Sequence, residues 1–123
     1  MNIDNLIYEC IGASMQVYNY LGPGLLESIY EKALLYELKQ RGLKVDNQVD
    51  VEIKYKDVVL GSDLRLDIIV ENTLVIELKS VEMLMPVHFK QVRTYMKLLD
   101  LPAGLLINFN EADFKSGYKV IKP

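Results

Sequence analysis

Cysteine and histidine are nearly missing from this sequence: there is one of each in 123 residues. A lone thiol, Cys10, closes no internal disulfide and builds no zinc site, so a disulfide-stapled secreted scaffold and a thiolate metal centre are both excluded. Cys10 is expected to pack inside a helix. Long apolar runs are also lacking, since charges interrupt each one well before the roughly 20 residues of a bilayer span. The start Met1-Asn2-Ile3-Asp4 has no basic, signal-like character. A cytoplasmic protein without a membrane partner is therefore expected. Nor is there an excess of positive charge: 14 Lys and Arg against 17 Asp and Glu leave a net charge of -3. That counts against a protein that holds nucleic acid by bulk attraction. It does not exclude a nuclease, because carboxylates that hold a divalent cation look acidic until the cation arrives. With no repeat, low-complexity tract or linker, residues 1–123 read as one domain with one core and one site.

What is present is a change of period. Ile3, Leu6, Ile7, Cys10, Val17 and Leu21 recur at helical spacing up to Gly22-Pro23-Gly24. A second helical stripe runs from Leu26 through Ile29, Tyr30, Ala33 and Leu34 to Leu38, with Gly42 placed as its C-terminal glycine. From Val45 the period is two: Val49, Val51, Ile53 and Tyr55 alternate with polar residues, and Lys56-Asp57 turns into Val58 and Leu60. A second hairpin is expected from Leu64–Val70 and Leu74–Lys79. A helix from Val87 to Asp100, a buried strand from Leu105 to Phe109 and an edge strand from Tyr118 to Ile121 complete the order. The fold class is α/β, with a mixed central sheet flanked by helices.

The central hairpin carries the chemistry. Alternation predicts that Leu66, Ile68, Val70, Leu74, Ile76 and Leu78 share one aliphatic face, and that Arg65, Asp67, Ile69, Val75, Glu77 and Lys79 share the other. A turn at Glu71-Asn72-Thr73 pairs Val70 with Leu74. Counting back sets Asp67 opposite Glu77, side-chain roots about 5 Å apart. Two carboxylates in one small space are costly unless a proton or a cation sits between them. Hard oxygens with no neighbouring Cys or His favour Mg2+ or Mn2+. Lys79 projects from the same face, suited to orienting an attacking water and offsetting charge on phosphate. A solvated charge cluster is the plainer reading of the three residues. Against it stand the aliphatic run Leu74-Val75-Ile76 and the matching register of Asp67.

Asp67 followed by Val75-Ile76-Glu77-Leu78-Lys79 resembles the D…(D/E)xK signature of the PD-(D/E)XK nuclease superfamily, and Gly24-Leu25-Leu26-Glu27-Ser28-Ile29-Tyr30 resembles the motif of its GxxExxY family. The likeness extends through Gln91 and Thr94-Tyr95 to Gly104–Phe109, with Leu66 where the superfamily's proline would stand. It implies a restriction-endonuclease-like core and a metal held by Asp67, Glu77 and the Leu78 carbonyl. It also gives Glu27 a part at the metal, where spacing alone shows only a first-turn acid favoured by the helix dipole. Tyr30 is as well suited to packing as to function. His88, Gln91 and Tyr95 fall on one edge of the later helix, and Lys90, Arg93 and Lys97 on the opposite side. Gln91, with Tyr30 and Tyr95, is the expected substrate-side set, while His88 suits the helix start.

The expected function is metal-dependent hydrolysis of nucleic-acid phosphodiesters, with DNA the first substrate to test. Two alternatives stay open: a nuclease-fold module that binds a protein or nucleic acid without cutting, and a metal-dependent hydrolase of another phosphate ester. So short a chain has little surface for gripping a duplex, which points to a homodimer or larger complex.

Overall fold

The structure is a computed structural model and describes residues 1–123. In chain order it contains α1 (Ile3–Leu21), α2 (Glu27–Gln40), β1 (Val45–Tyr55), β2 (Val58–Val70), β3 (Leu74–Lys79), α3 (Pro86–Leu99), β4 (Ala103–Asn108), α4 (Phe114–Gly117) and β5 (Tyr118–Ile121). No helix is long and apolar enough to cross a membrane.

Local chemistry explains where the helices begin and end. The Asn2 side chain accepts the Asn5 N–H to open α1, and Gly22, at φ 71°, closes it. At the end of α2, Gly42 (φ 76°) donates to Lys39 O and Leu43 donates to Leu38 O, the paired bonds of a Schellman motif. Pro86 opens α3, where its missing N–H is no loss. Asp100, at φ 54°, ends it.

The five strands lie in the order β1-β2-β3-β4-β5. Only β3 and β4 are parallel, linked by the crossover through α3. On one face α1 and α2 bury Leu6, Cys10, Val17, Tyr30, Leu34 and Leu38 against Ile68, Ile76, Leu78, Leu105 and Ile107. On the other, Val92, Tyr95 and Met96 of α3 cover Val51, Leu66, Val75 and Leu106. The mixed sheet between helices is thus as the periods predict. Cys10 is fully buried, and burial pushes its thiol up to about 12, as suits a packing residue.

Three details depart from the sequence reading. Residues 58–70 form one continuous strand rather than the arms of two hairpins, because the change of spacing near Gly61 is taken up by register shifts against β1. Leu66 packs under α3 while Ile68 and Val70 pack under α1 and α2, so alternation breaks at Asp67. The four-residue α4 is too short to show a period; Asp113 caps it by accepting the Ser116 N–H.

Gly104 lies where α3 crosses the sheet. A Cβ there would collide with Val92 Cγ1 and come within 3.1 Å of Met96 Sδ. We expect Gly104→Ala to lower stability by roughly 1–3 kcal/mol, the usual cost of overpacking, read as a lower denaturant midpoint at unchanged slope.

Candidate active site

The β2–β3 ladder runs Val70↔Leu74, Ile69↔Val75 and Ile68↔Ile76, then stops. The register is the expected one, but Asp67 and Glu77 are not a backbone pair. Their side chains replace the missing bonds. The Asp67 N–H donates to Glu77 Oε1 at 2.9 Å, and the Leu78 N–H donates to Asp67 Oδ2 at 2.9 Å. On the other side of β2 the ladder pairs Asn47↔Ile68 and Val49↔Leu66 and passes over Gln48, which is left-handed at φ 50°. The sheet is therefore interrupted on both sides of Asp67.

Glu77 is 2% exposed, a severe position for a carboxylate. Burial, then the Asp67 carboxylate, push its pKa up to about 8, against the relief given by the Asp67 N–H and Lys79. The Glu27 carboxyl is also raised. Burial is the chief cause and Asp67 adds to it, while Lys79, the Ser80 amide and His88 oppose it. Glu27 at the start of α2, Asp67 on β2 and Glu77 and Lys79 on β3 thus act on one another. The chain's four direct ion pairs all lie elsewhere.

The start of α2 is held firmly. The Tyr30 hydroxyl donates to Gly22 O at 2.6 Å and accepts from the Leu25 N–H at 3.0 Å, with its ring stacked on Phe109 at 4.5 Å. Ser80 Oγ donates to Leu25 O at 2.6 Å. Ser80 in turn precedes Val81, whose N–H and C=O are both bound by the Asn108 side chain, at 3.0 and 2.9 Å.

With this geometry, the sequence model of the PD-(D/E)XK nuclease superfamily matches residues 4–121. The chain belongs to that superfamily. Its fold is shared with the crystal structure of SSO0001 at a TM-score of 0.60 and 22% identity, over 77% of this chain and 48% of that one. The chain spans about half the length of that protein. No curated protein matches the sequence significantly.

Glu27, Asp67, Glu77 and Lys79, the four residues that fall on the PD-(D/E)XK and GxxExxY patterns, lie near enough to influence one another's charge. Within a strand a residue's N–H and C=O point to one side, so the Leu78 carbonyl is directed into the gap that its N–H shares with Asp67. No three Asp, Glu, His or Cys side chains form a ready-made cage. The donors on offer are two carboxylates and a carbonyl, all hard oxygens, which fit a small divalent cation in its usual partly hydrated form.

The substrate-side expectations need correction. Tyr30 and Tyr95 are buried, and both hydroxyls are spent inside the protein, that of Tyr95 on Arg65 O at 2.9 Å and on Gln91 Nε2 at 3.3 Å. They position neighbouring elements and present no free group to a substrate. Gln91 lines a hollow of about 370 Å³ with Leu64, Val87, Lys90, Thr94 and Tyr95. Lys90 borders the same hollow as Gln91, whereas Arg93 and Lys97 flank a different one with Asp100. His88 Nδ1 accepts the Met85 N–H at 2.9 Å, the expected helix-start role.

Two residues escaped sequence reasoning. Asn108 is 1% exposed at the end of a strand otherwise apolar, and its polarity in that setting was the available signal. Gln48 donates to Glu31 Oε1 at 2.6 Å and more distantly to Asp67 Oδ1 at 3.5 Å. Nothing in the sequence distinguishes it from other polar strand residues.

Because the folded protein holds a proton on Glu77 that the unfolded chain releases near its ordinary value of 4.5, stability should fall as pH rises from about 4.5 to about 8 in chelator. Urea midpoints across that range test this. Glu77→Gln, which keeps an acceptor for the Asp67 N–H, should flatten the fall; an equal fall in that variant would assign the proton elsewhere.

Proposed function

We propose that this chain is a metal-dependent nuclease that hydrolyses nucleic-acid phosphodiester bonds, with DNA the first substrate to test, and that it works in the cytoplasm. The observation that supports it best is the interlock of Asp67 and Glu77 beside Lys79 and Glu27. The segment Gly24–Tyr30 fits the GxxExxY family within the superfamily. Members of the superfamily typically use divalent metals. Here Asp67, Glu77 and the Leu78 carbonyl would hold Mg2+ or Mn2+, with Glu27 assisting. Such an ion supplies Lewis-acid stabilisation of phosphate charge and a more acidic bound water.

The chain's own residues do the rest. Lys79, two residues beyond Glu77, holds the attacking water and offsets charge as water oxygen bonds to phosphorus and the ester oxygen leaves. Interlocking with backbone amides fixes both carboxylates before substrate arrives, so little reorganisation remains. Lys90 and Gln91, which line the hollow beside Leu64, would meet the nucleic-acid strand that flanks the scissile bond. One observation favours a rival: a net charge of -3 suits a nuclease-fold module docking on a protein. Hydrolysis of another phosphate ester is the third possibility.

Manganese should raise the melting temperature with concentration, since it binds only the folded state. Asp67→Asn should abolish that shift. If the shift persists in the variant, the metal binds elsewhere.

Lys79 separates enzyme from module. An interaction made only in the transition state affects turnover, so Lys79→Ala should cut it roughly 100-fold while leaving substrate affinity near wild type. Lys79→Arg should also be poor, a planar fork replacing a compact ammonium. The assay is cleavage of single- and double-stranded DNA and RNA with manganese, beside binding in calcium. Absence of cleavage by wild type on all of these, with binding that Lys79→Arg preserves, would favour the module.

A further inference from the structure

β1 is an edge strand, and from Val49 to Tyr55 no backbone group bonds outward from it. Its only partner is β2, which itself meets β3 over Ile68–Val70 alone. Beyond Val51 and Leu64, which pack under α3, the end of the β1–β2 hairpin is a two-stranded ribbon with no third strand. Such ribbons are marginal in water and gain stability from further strands. This one exposes Tyr55, Val58, Val59 and Leu60, each by more than half.

The free edge is regular. From Val51 to Ile53 β1 advances two residues while β2 advances three, Leu64 to Gly61; from Ile53 to Lys54 β1 advances one and β2 two. Both irregularities thus lie in β2. An unpaired edge is a template for another strand.

We propose that this edge joins two copies of the chain, β1 pairing antiparallel with β1 of a second copy about a two-fold axis at Ile53. The proposal does not depend on the nuclease reading. It rests on the symmetry of Val51-Glu52-Ile53-Lys54-Tyr55 within β1. Centred on Ile53, Glu52 faces the partner's Lys54 and Lys54 the partner's Glu52. Val51 faces the partner's Tyr55, while Asp50 stays paired with Arg65 of its own chain at 3.0 Å. From Val51 to Tyr55, the last five residues of β1, opposite charges and apolar residues match at each position. Centring on Glu52 or Lys54 sets like charges on the axis. Placing the axis between residues sets Ile53 against a charged neighbour and turns the apolar face outward.

Lysine on an edge usually guards against such pairing. Here each lysine has its acid at the symmetric place. The present contact between Lys54 Nζ and Glu52 Oε1, 3.5 Å, joins two side chains each more than half exposed, so it constrains little and frees both for exchange. Nucleic acid is a poor occupant, since the hairpin between Val49 and Arg65 carries Asp50, Glu52, Asp57 and Asp63 against Lys54, Lys56 and Arg65.

Sedimentation of the full chain should give twice the chain mass of 14.1 kDa, in a concentration-dependent way. Glu52→Lys or Lys54→Glu alone should raise the dimer dissociation constant about tenfold or more, because symmetry sets each reversed charge against a like charge twice. The double reversal should restore it. Under oxidation Ile53→Cys should cross-link two chains, its mate lying about 4.5–5.5 Å away between Cα atoms. Tyr55→Cys should not, although position 55 is 61% exposed, because its mate lies about 13 Å along the strand. Cys10, fully buried, does not compete. A monomer at the highest attainable concentration overturns the proposal. So does a dimer indifferent to both reversals, or cross-linking as ready at Tyr55→Cys as at Ile53→Cys.

Discussion

Strands of a sheet ordinarily hold one another through backbone carbonyls. Between β2 and β3 the last two bonds are instead accepted by carboxylates, Glu77 taking the Asp67 N–H and Asp67 taking the Leu78 N–H. Much else follows from that exchange. The strands separate beyond Ile68 and Ile76. Leu66 is released to the α3 face, and the Leu78 carbonyl is left directed into the gap. Glu77 is buried where an apolar residue would pack better, and its raised affinity for a proton measures the electrostatic demand that the arrangement creates.

Around that exchange the molecule builds supports that are mostly backbone contacts. Tyr30 and Ser80 clamp opposite sides of the turn before α2, which fixes where Glu27 enters. Tyr95 ties α3 to the Arg65 carbonyl, two residues from Asp67. The side chains that sequence reasoning assigned to substrate are thus part of the frame. Aromatic hydroxyls suit this work because a ring can sit in the core while its oxygen reaches a peptide at the rim.

Periodicity made the larger plan legible. The helical stripes, the two-residue alternation and the glycine and proline breaks located every element but α4, and the turn at Glu71–Thr73 fixed the register that brings Asp67 to Glu77. What escaped were departures from regularity. A strand count places Leu66 with Ile68, because it has no means of knowing that the left-handed Gln48 and the side-chain bonds of Asp67 break the alternation between them. Lys90 and Gln91, adjacent in sequence and so about 100° apart around the helix, still border one wide hollow, which a helical period does not reveal. Hydrogen bonds to backbone, like those of Tyr95 and Asn108, leave no periodic trace.

The Asn108 amide binds Val81 on both its N–H and its C=O, much as one strand of a ladder binds the next. The chain leaving β3 is therefore anchored one residue after Ser80. At the far side, Pro86 and the His88 ring fix the first turn of α3. Between these anchors lie only Glu82 to Leu84, with Met83 67% exposed. Leu84 packs against the core under α3, which leaves Glu82 and Met83 as the exposed part of the span. That part is a natural splice point, where extra residues can be accommodated as a longer surface loop at small entropic cost while Lys79 and Ser80 keep their places.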